Sequence, residues 1–246
     1  MLKAVLLDIS GVLYQGTEVI PGAVQAVQAL RDKGLALRFV TNTSRKPRSR
    51  ILKDLQRMGF ELDRRELFTA PLAARRWLEQ NNRRPLLLVH PDIEEEFNGI
   101  DRINPNLVLL ADAADALNYH NLDEAFSLLI DGAPLLAIGI NRYFRDDDRL
   151  HLDAGPFVRA LEYAAGIDAV VAGKPSPDFF AQALADIGCR PDEAIMVGDD
   201  VDSDVIGAID AGLHGCLVKT GKYRPGDEER LGGRGRVVES LSELDL

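Results

Sequence analysis

Short apolar runs alternate with amphipathic segments from the first residues onward, and this alternation limits the folds open to the chain. Strands separated by helical crossovers assemble into a parallel sheet covered by helices. Residues 3–8 read as the first strand, and a helix follows from Gly22 to Lys33, with Val24, Val27 and Leu30 turned inward and Gly34 as its stop. Leu35 to Val40 is the second strand. Ile51, Leu52, Leu55 and Met58 then recur at helical spacing between Pro47 and Met58, before Gly59. A third helix, Pro71 to Asn81, closes this portion. The middle has another character: strands at 86–89, 107–110 and 135–139 are separated by the acidic segment Asp92 to Glu96 and a helix from Leu122 to Ile130. After Ile167 the first style returns, with a strand at 169–172, a helix at 177–187, a strand at 194–197, a helix at 203–211 and a strand at 216–219. The expectation is an α/β chain whose parallel-sheet core, 1–73 and 168–246, is interrupted by an insertion at 74–167.

Composition matters mainly for what it excludes. With 246 residues, 46% of them hydrophobic, the chain can bury a sizeable core. A formal net charge of -10 sets up a field that repels nucleic acids and anionic membranes, so neither is an expected partner. Its two cysteines, Cys189 and Cys216, make neither a disulfide framework nor a zinc spacing, and read as buried thiols. No cleavage-like leader and no run of about 18 apolar residues is present, so a cytoplasmic location is expected.

In open parallel sheets ligands bind beyond the carboxyl ends of the strands. Those positions here are strongly polar: Asp8 and Ser10; Thr41, Asn42, Thr43 and Ser44; Lys174; and Asp199, Asp200, Asp202 and Asp204. Taken singly, each has a plainer reading. Asp8 suits a helix cap or turn, Thr41 to Ser44 a helix start, Lys174 a solvated loop, and the four aspartates the positive end of a helix. Together they point elsewhere. Clustered carboxylates repel unless a cation joins them, hard oxygen ligands suit Mg²⁺, and hydroxyls, amides and a lysine suit a phosphoryl group.

In order along the chain, Asp8, Thr41, Lys174 within Gly173-Lys174-Pro175-Ser176-Pro177, and Gly198-Asp199 through Asp204 resemble the four motifs of the haloacid dehalogenase superfamily of phosphohydrolases. The resemblance covers the whole chain and implies a Rossmann-like core with a large inserted α/β cap. It further implies that Asp8 is a nucleophile forming an aspartyl-phosphate. Mg²⁺ would be held by Asp8, the Ser10 carbonyl and Asp199, with Asp204, and Asp200 beside it, behind them or bound through water. Thr41 and Asn42 would bind phosphate oxygens, Lys174 would neutralise both Asp8 and the phosphoryl group, and Gly11 would permit the turn after the nucleophile. In the cap, the Asp153 to Phe157 loop, with Asp153 and Gly155, would reach the substrate; its plainer reading is a helix start with Pro156 in the first turn. Caps of this type often pair, which implies a homodimer through the cap.

One position departs from the pattern. Most phosphatases of the superfamily carry a second Asp two residues after the nucleophile, to protonate the leaving group and activate water; here that residue is Ser10. A serine is a poor acid near neutral pH, so a contribution of roughly 10²- to 10⁴-fold is lost or supplied otherwise. An alkoxide leaving a sugar phosphate needs that proton. The amine or imidazole of a phosphoramidate can depart neutral, and pyrophosphate is also a tolerable substrate. The serine therefore favours nitrogen-bound phosphates or diphosphates over alkyl phosphates, and the resemblance implies phosphohistidine, phospholysine or pyrophosphate as the substrates, on a small molecule or a protein side chain. The alternatives are a general phosphatase of small phosphomonoesters and a phosphate-binding module weakened in catalysis.

Overall fold

The computed structural model describes residues 1–146 and 149–246. The chain forms two compact units: Met1–Thr41, Arg48–Phe68 and Lys174–Leu246 make the first, and Asn42–Pro47 with Thr69–Gly173 the second.

A six-stranded sheet organises the first unit, in the order Arg236–Val238, His214–Val218, Ala194–Gly198, Ala4–Asp8, Ala36–Thr41 and Leu67–Thr69. Ala4–Asp8 is central and buried along its whole length, with Ala194–Gly198 and Ala36–Thr41 parallel to it on either side. Successive side chains of a strand face opposite ways. Val5 and Leu7 therefore share one face, where they pack with Phe39, Ile195 and Val197 against two helices. Ala23–Asp32 buries Ala23, Val27 and Leu30 there, and Arg48–Arg57 buries Ile51 and Leu55. Each of these valine, leucine and isoleucine side chains contributes about 1.5–3 kcal/mol when fully buried.

The second unit has its own parallel sheet, ordered Val170–Val171, Leu135–Ala137, Leu107–Leu110 and Pro85–Leu88. Its core joins Leu88, Val108, Leu110 and Ala137 to Ala125 and Leu129 of Tyr119–Ile130, and to Val158 and Leu161 of Ala154–Ala165. An antiparallel hairpin, Tyr143–Asp146 with Arg149–Leu152, completes it. No helix among the described residues is long and apolar enough to cross a membrane.

Three expectations change. The strand expected at 169–172 is not a strand of the core sheet: Val170 and Val171 pair with Leu136 and Ala137 at the edge of the second sheet, and the Ala172 N–H continues the ladder to Ala137 O at 2.8 Å. Apolar content marks a strand without naming the sheet it joins. The sequence puts the domain borders at 73/74 and 167/168, whereas the compact units divide at 68/69 and 173/174. Helix Ala70–Gln80 lies in the second unit, where Arg75 donates from Nη1 to the Glu96 and Asn98 carbonyls at 2.8 and 2.9 Å. Finally, the helix expected at 203–211 opens as a π-helical turn, Val201–Ile206, and only then becomes α-helical at Gly207–Asp210. The Asp200 carbonyl accepts from both the Asp204 and Val205 N–H groups, at 3.0 and 3.4 Å, which widens the turn.

Candidate active site

Strand register brings the polar residues together. Asp8 ends the central strand opposite Val40, so Thr41 lies one residue further along the neighbouring strand. On the other side Leu7 pairs with Val197, and Ala194–Gly198 delivers Asp199 just past its end. Asp204 comes from the π-helical turn, and Lys174 from the point where the chain re-enters the first unit. Asp8, Thr41, Lys174, Asp199 and Asp204 are all buried.

Carboxylate oxygens of Asp8, Asp199 and Asp204 all lie within 4.8 Å of one another. The Lys174 ammonium donates to Asp8 Oδ1 and lies 2.7 Å from Asp204 Oδ1. Burial pushes the Asp199 carboxyl well above the usual carboxylate range, and the Asp8 and Asp204 charges push the same way. Asp204 is raised too, because burial and the neighbouring Asp8 and Asp200 outweigh the pull of Lys174. Burial draws the Lys174 ammonium down, but Asp204 and Asp8 overrule it and hold its pKa above the ordinary lysine value. The Lys174 ammonium thus pairs with two of the three buried carboxylates, and the third, Asp199, feels the charge of Lys222. This all-oxygen donor set, short of positive charge, fits a hard divalent cation such as Mg²⁺ and does not resemble a soft-metal site.

The plainer readings fare differently at each position. Asp8 is no helix cap, since it ends a strand and Gly11, at φ 88°, turns the chain behind it. Lys174 is 3% exposed, and so is no solvated loop lysine. Capping falls to Asp200, whose side chain accepts from the Asp202 and Ser203 N–H groups. Asp202 is exposed and pairs with Arg230. The next helix after Thr41 begins only at Arg48, so Thr41 to Ser44 do not start it. Ser10 is exposed and forms an isolated bridge with Tyr14.

Asn42, Asp153 and Gly155 belong to the second unit. There the Asn42 side chain packs against Gly173, where an added Cβ would come within 2.6 Å of Asn42 Oδ1. Asp153 caps Ala154–Ala165 by accepting from the Ala154 N–H at 2.7 Å, as the plainer reading has it. A Cβ on Gly155 would collide with the Ile140 and Asn141 carbonyls, so close backbone packing accounts for that glycine. Gly155 also borders a cavity of about 680 Å³ that is lined by Arg142, Tyr143, Leu150, Leu152 and Arg159.

Sequence reasoning missed Lys222, whose backbone N–H donates to Asp199 Oδ2 at 2.7 Å. The available signal was its position: Gly221-Lys222 follows the strand His214–Val218, the neighbour of the one that delivers Asp199.

Comparison with known proteins identifies the family. A model of haloacid dehalogenase-like hydrolases matches residues 5–102, and a second HAD-hydrolase-like model matches residues 171–244. Haloacid dehalogenase-like hydrolase domain-containing protein 2 of Pongo abelii is 47% identical over 230 residues, covering 94% of this chain and 89% of that protein. Phospholysine phosphohistidine inorganic pyrophosphate phosphatase of Xenopus laevis is 45% identical, covering 93% of this chain and 87% of that protein. Among solved structures, 4-nitrophenylphosphatase of Thermotoga maritima superposes with a TM-score of 0.90 at 26% identity, covering 98% of this chain and 95% of that one.

Proposed function

The chain belongs to the haloacid dehalogenase-like hydrolases, and from that membership we propose that it is a Mg²⁺-dependent phosphatase working through an aspartyl-phosphate, on phosphoramidates or pyrophosphate. The observation that carries the reading is the buried trio Asp8, Asp199 and Asp204, with Lys174 bound to two of its members.

In the first step an Asp8 oxygen attacks phosphorus, and the bond from phosphorus to the leaving nitrogen or oxygen breaks. Lys174 already neutralises Asp8 before attack, which lowers the repulsion between a carboxylate and a phosphate dianion. Thr41 and Asn42 bind the phosphoryl oxygens in this reading. Water then cleaves the acyl phosphate, releasing phosphate and restoring the carboxylate. Held by Asp8, Asp199 and the Ser10 carbonyl, with Asp204 behind them, Mg²⁺ would supply charge neutralisation to the phosphoryl oxygens.

Ser10 sets the substrate preference. No carboxylic acid occupies this position, so leaving groups that need no proton are favoured over sugar alkoxides. The name of the Xenopus laevis relative supports this choice. In this reading the Asp153 to Phe157 loop, with Asp153 and Gly155, would also reach the substrate, beside the capping and packing roles described above. Exposed Tyr143, Leu150 and Leu152 on the hairpin support pairing of two copies through that unit, which sedimentation would test. A cytoplasmic location belongs to the same reading, supported by the two free thiols.

The test is phosphate release from phosphohistidine, phospholysine, imidodiphosphate, pyrophosphate and sugar phosphates, with and without Mg²⁺. Wild type should prefer the nitrogen-linked and anhydride substrates, and Ser10→Asp should raise sugar-phosphate turnover by about ten- to a hundredfold. A wild-type preference for sugar phosphates would refute the leaving-group assignment.

A further inference from the structure

The segment Thr220-Gly221-Lys222 reaches back across the sheet to the nucleophile turn. The Thr220 hydroxyl donates to the Gly11 carbonyl. At Gly221, φ is 61°, and a Cβ there would strike Asp199 Oδ2 while coming within 2.6 Å of Gly11 Cα. A Cβ on Gly11 would strike the same Asp199 oxygen and come within 3.1 Å of Gly221 Cα. Two glycine backbones therefore close on one carboxylate oxygen, which also accepts from the Lys222 N–H at 2.7 Å. The Lys222 side chain turns to Asp200, with Nζ 3.2 Å from Oδ2.

Both ends of this segment are tied down away from the carboxylates. The Lys219 N–H donates to Val238 O at 3.0 Å and its ammonium pairs with Glu239 at 2.8 Å. The Tyr223 N–H donates to Thr220 O at 3.2 Å and its hydroxyl to Glu228 at 2.8 Å. The segment is thus a strap held to the edge strand at Lys219 and to Glu228 at Tyr223, and its middle touches two parts of the site that are remote in sequence: the turn after Asp8, and Asp199.

We propose that Thr220 is a positioning residue that locks the Gly11 turn to Asp199, setting the spacing between the Asp8 and Asp199 carboxylates for a divalent cation. This rests on the metal reading above. Thr220 touches neither carboxylate itself. It fixes the Gly11 carbonyl, and Gly11 and Gly221 leave between them the space that Asp199 Oδ2 fills and a Cβ on either would take.

The experiment is isothermal titration of the substrate-free protein with Mg²⁺, alongside the Mg²⁺ activation constant and the KM for pyrophosphate at saturating metal. Thr220→Val removes one hydrogen bond at nearly constant volume, so Mg²⁺ binding should weaken by about three- to tenfold. The activation constant should rise by the same factor, KM at saturating Mg²⁺ should hold, and Thr220→Ser should restore both constants. Gly221→Ala, which forces a methyl group onto Asp199, should weaken Mg²⁺ binding further while circular dichroism shows a folded chain. A Thr220→Val protein that binds Mg²⁺ as wild type does overturns this proposal alone. Wild type that binds no Mg²⁺ overturns the metal reading and this one with it.

Discussion

Each unit is built on a parallel sheet, and each buries a carboxylate just past the end of a strand, yet among the described residues the cluster of buried carboxylates lies in the first unit. In the second unit Asp112 follows the strand Leu107–Leu110 and is 4% exposed. Its Oδ2 pairs with Arg45, whose guanidinium also lies 4.3 Å from the centre of the Phe144 ring, and its Oδ1 accepts from the Ala114 N–H at 3.1 Å. Both carboxylate oxygens of Asp112 therefore have a partner, one of them a cation. In the first unit the Lys174 ammonium pairs with two of three clustered buried carboxylates, and the third, Asp199, accepts only from the Lys222 backbone N–H while the Lys222 ammonium turns to Asp200. The same strand-end position is a structural ion pair in one sheet and a charged site in the other. A buried charge identifies a site when its neighbours fail to cancel it, rather than by being buried.

The largest expected effect separates these two aspartates. Asp8→Asn should lower phosphate release by at least about a thousandfold, because a carboxamide cannot replace the attacking carboxylate. Without metal, the same variant should melt no lower than wild type, since it removes a charge that pushes up the Asp199 and Asp204 carboxyls and leaves Lys174 its pair with Asp204. Turnover retained in Asp8→Asn would end the assignment of Asp8 as nucleophile, and with it the contrast to Asp112.

Next in size is the response to metal. At Mg²⁺ a hundredfold above its dissociation constant, wild type should gain about 2.7 kcal/mol, which is about 5–10 °C in melting temperature for a chain of this length. Asp199→Asn should lose at least half of that shift, whereas Asp112→Asn should keep all of it. Differential scanning calorimetry with and without EDTA makes the measurement. Equal loss in both variants would mean that the two sheets do not differ as described.

The residues of the first unit were legible in the sequence because their chemistry is local to strand ends. Asp8, Thr41 and Asp199 each stand one or two residues from an apolar run, and the parallel register then brings them together. Lys174 was legible as a residue type but not by its route, since the strand before it joins the other sheet. The strap was illegible for another reason. The hydrogen bond from Thr220 to Gly11 spans 209 residues, and nothing in a single sequence marks which carbonyl a loop hydroxyl will reach. In the second unit the hairpin Tyr143–Asp146 with Arg149–Leu152 escaped notice because charged and apolar residues mingle on its strands, and Leu150 and Leu152 stay exposed. Helix Ala154–Ala165 was visible only at its start, through Asp153 and Pro156, although Gly166 stops it in the left-handed conformation at φ 66°.

The smallest effect tests the balanced side of the contrast. Removing one member of a fully buried ion pair typically costs about 3–5 kcal/mol. Asp112 sits at that limit, with its side chain 5% exposed, but that of Arg45 is 38% exposed, so water shares in solvating the guanidinium once its partner is gone. Asn in place of Asp112 also keeps an oxygen to accept the Ala114 N–H. Asp112→Asn should therefore destabilise the protein by only about 1–2 kcal/mol in urea titrations, and added salt should shrink the difference by weakening the charge pairing in wild type. Phosphate release by the folded variant should match wild type. A loss of activity without a loss of stability would show that the Arg45 and Asp112 pair serves catalysis, and that the charge balance in the second unit does not set it apart from the chemistry.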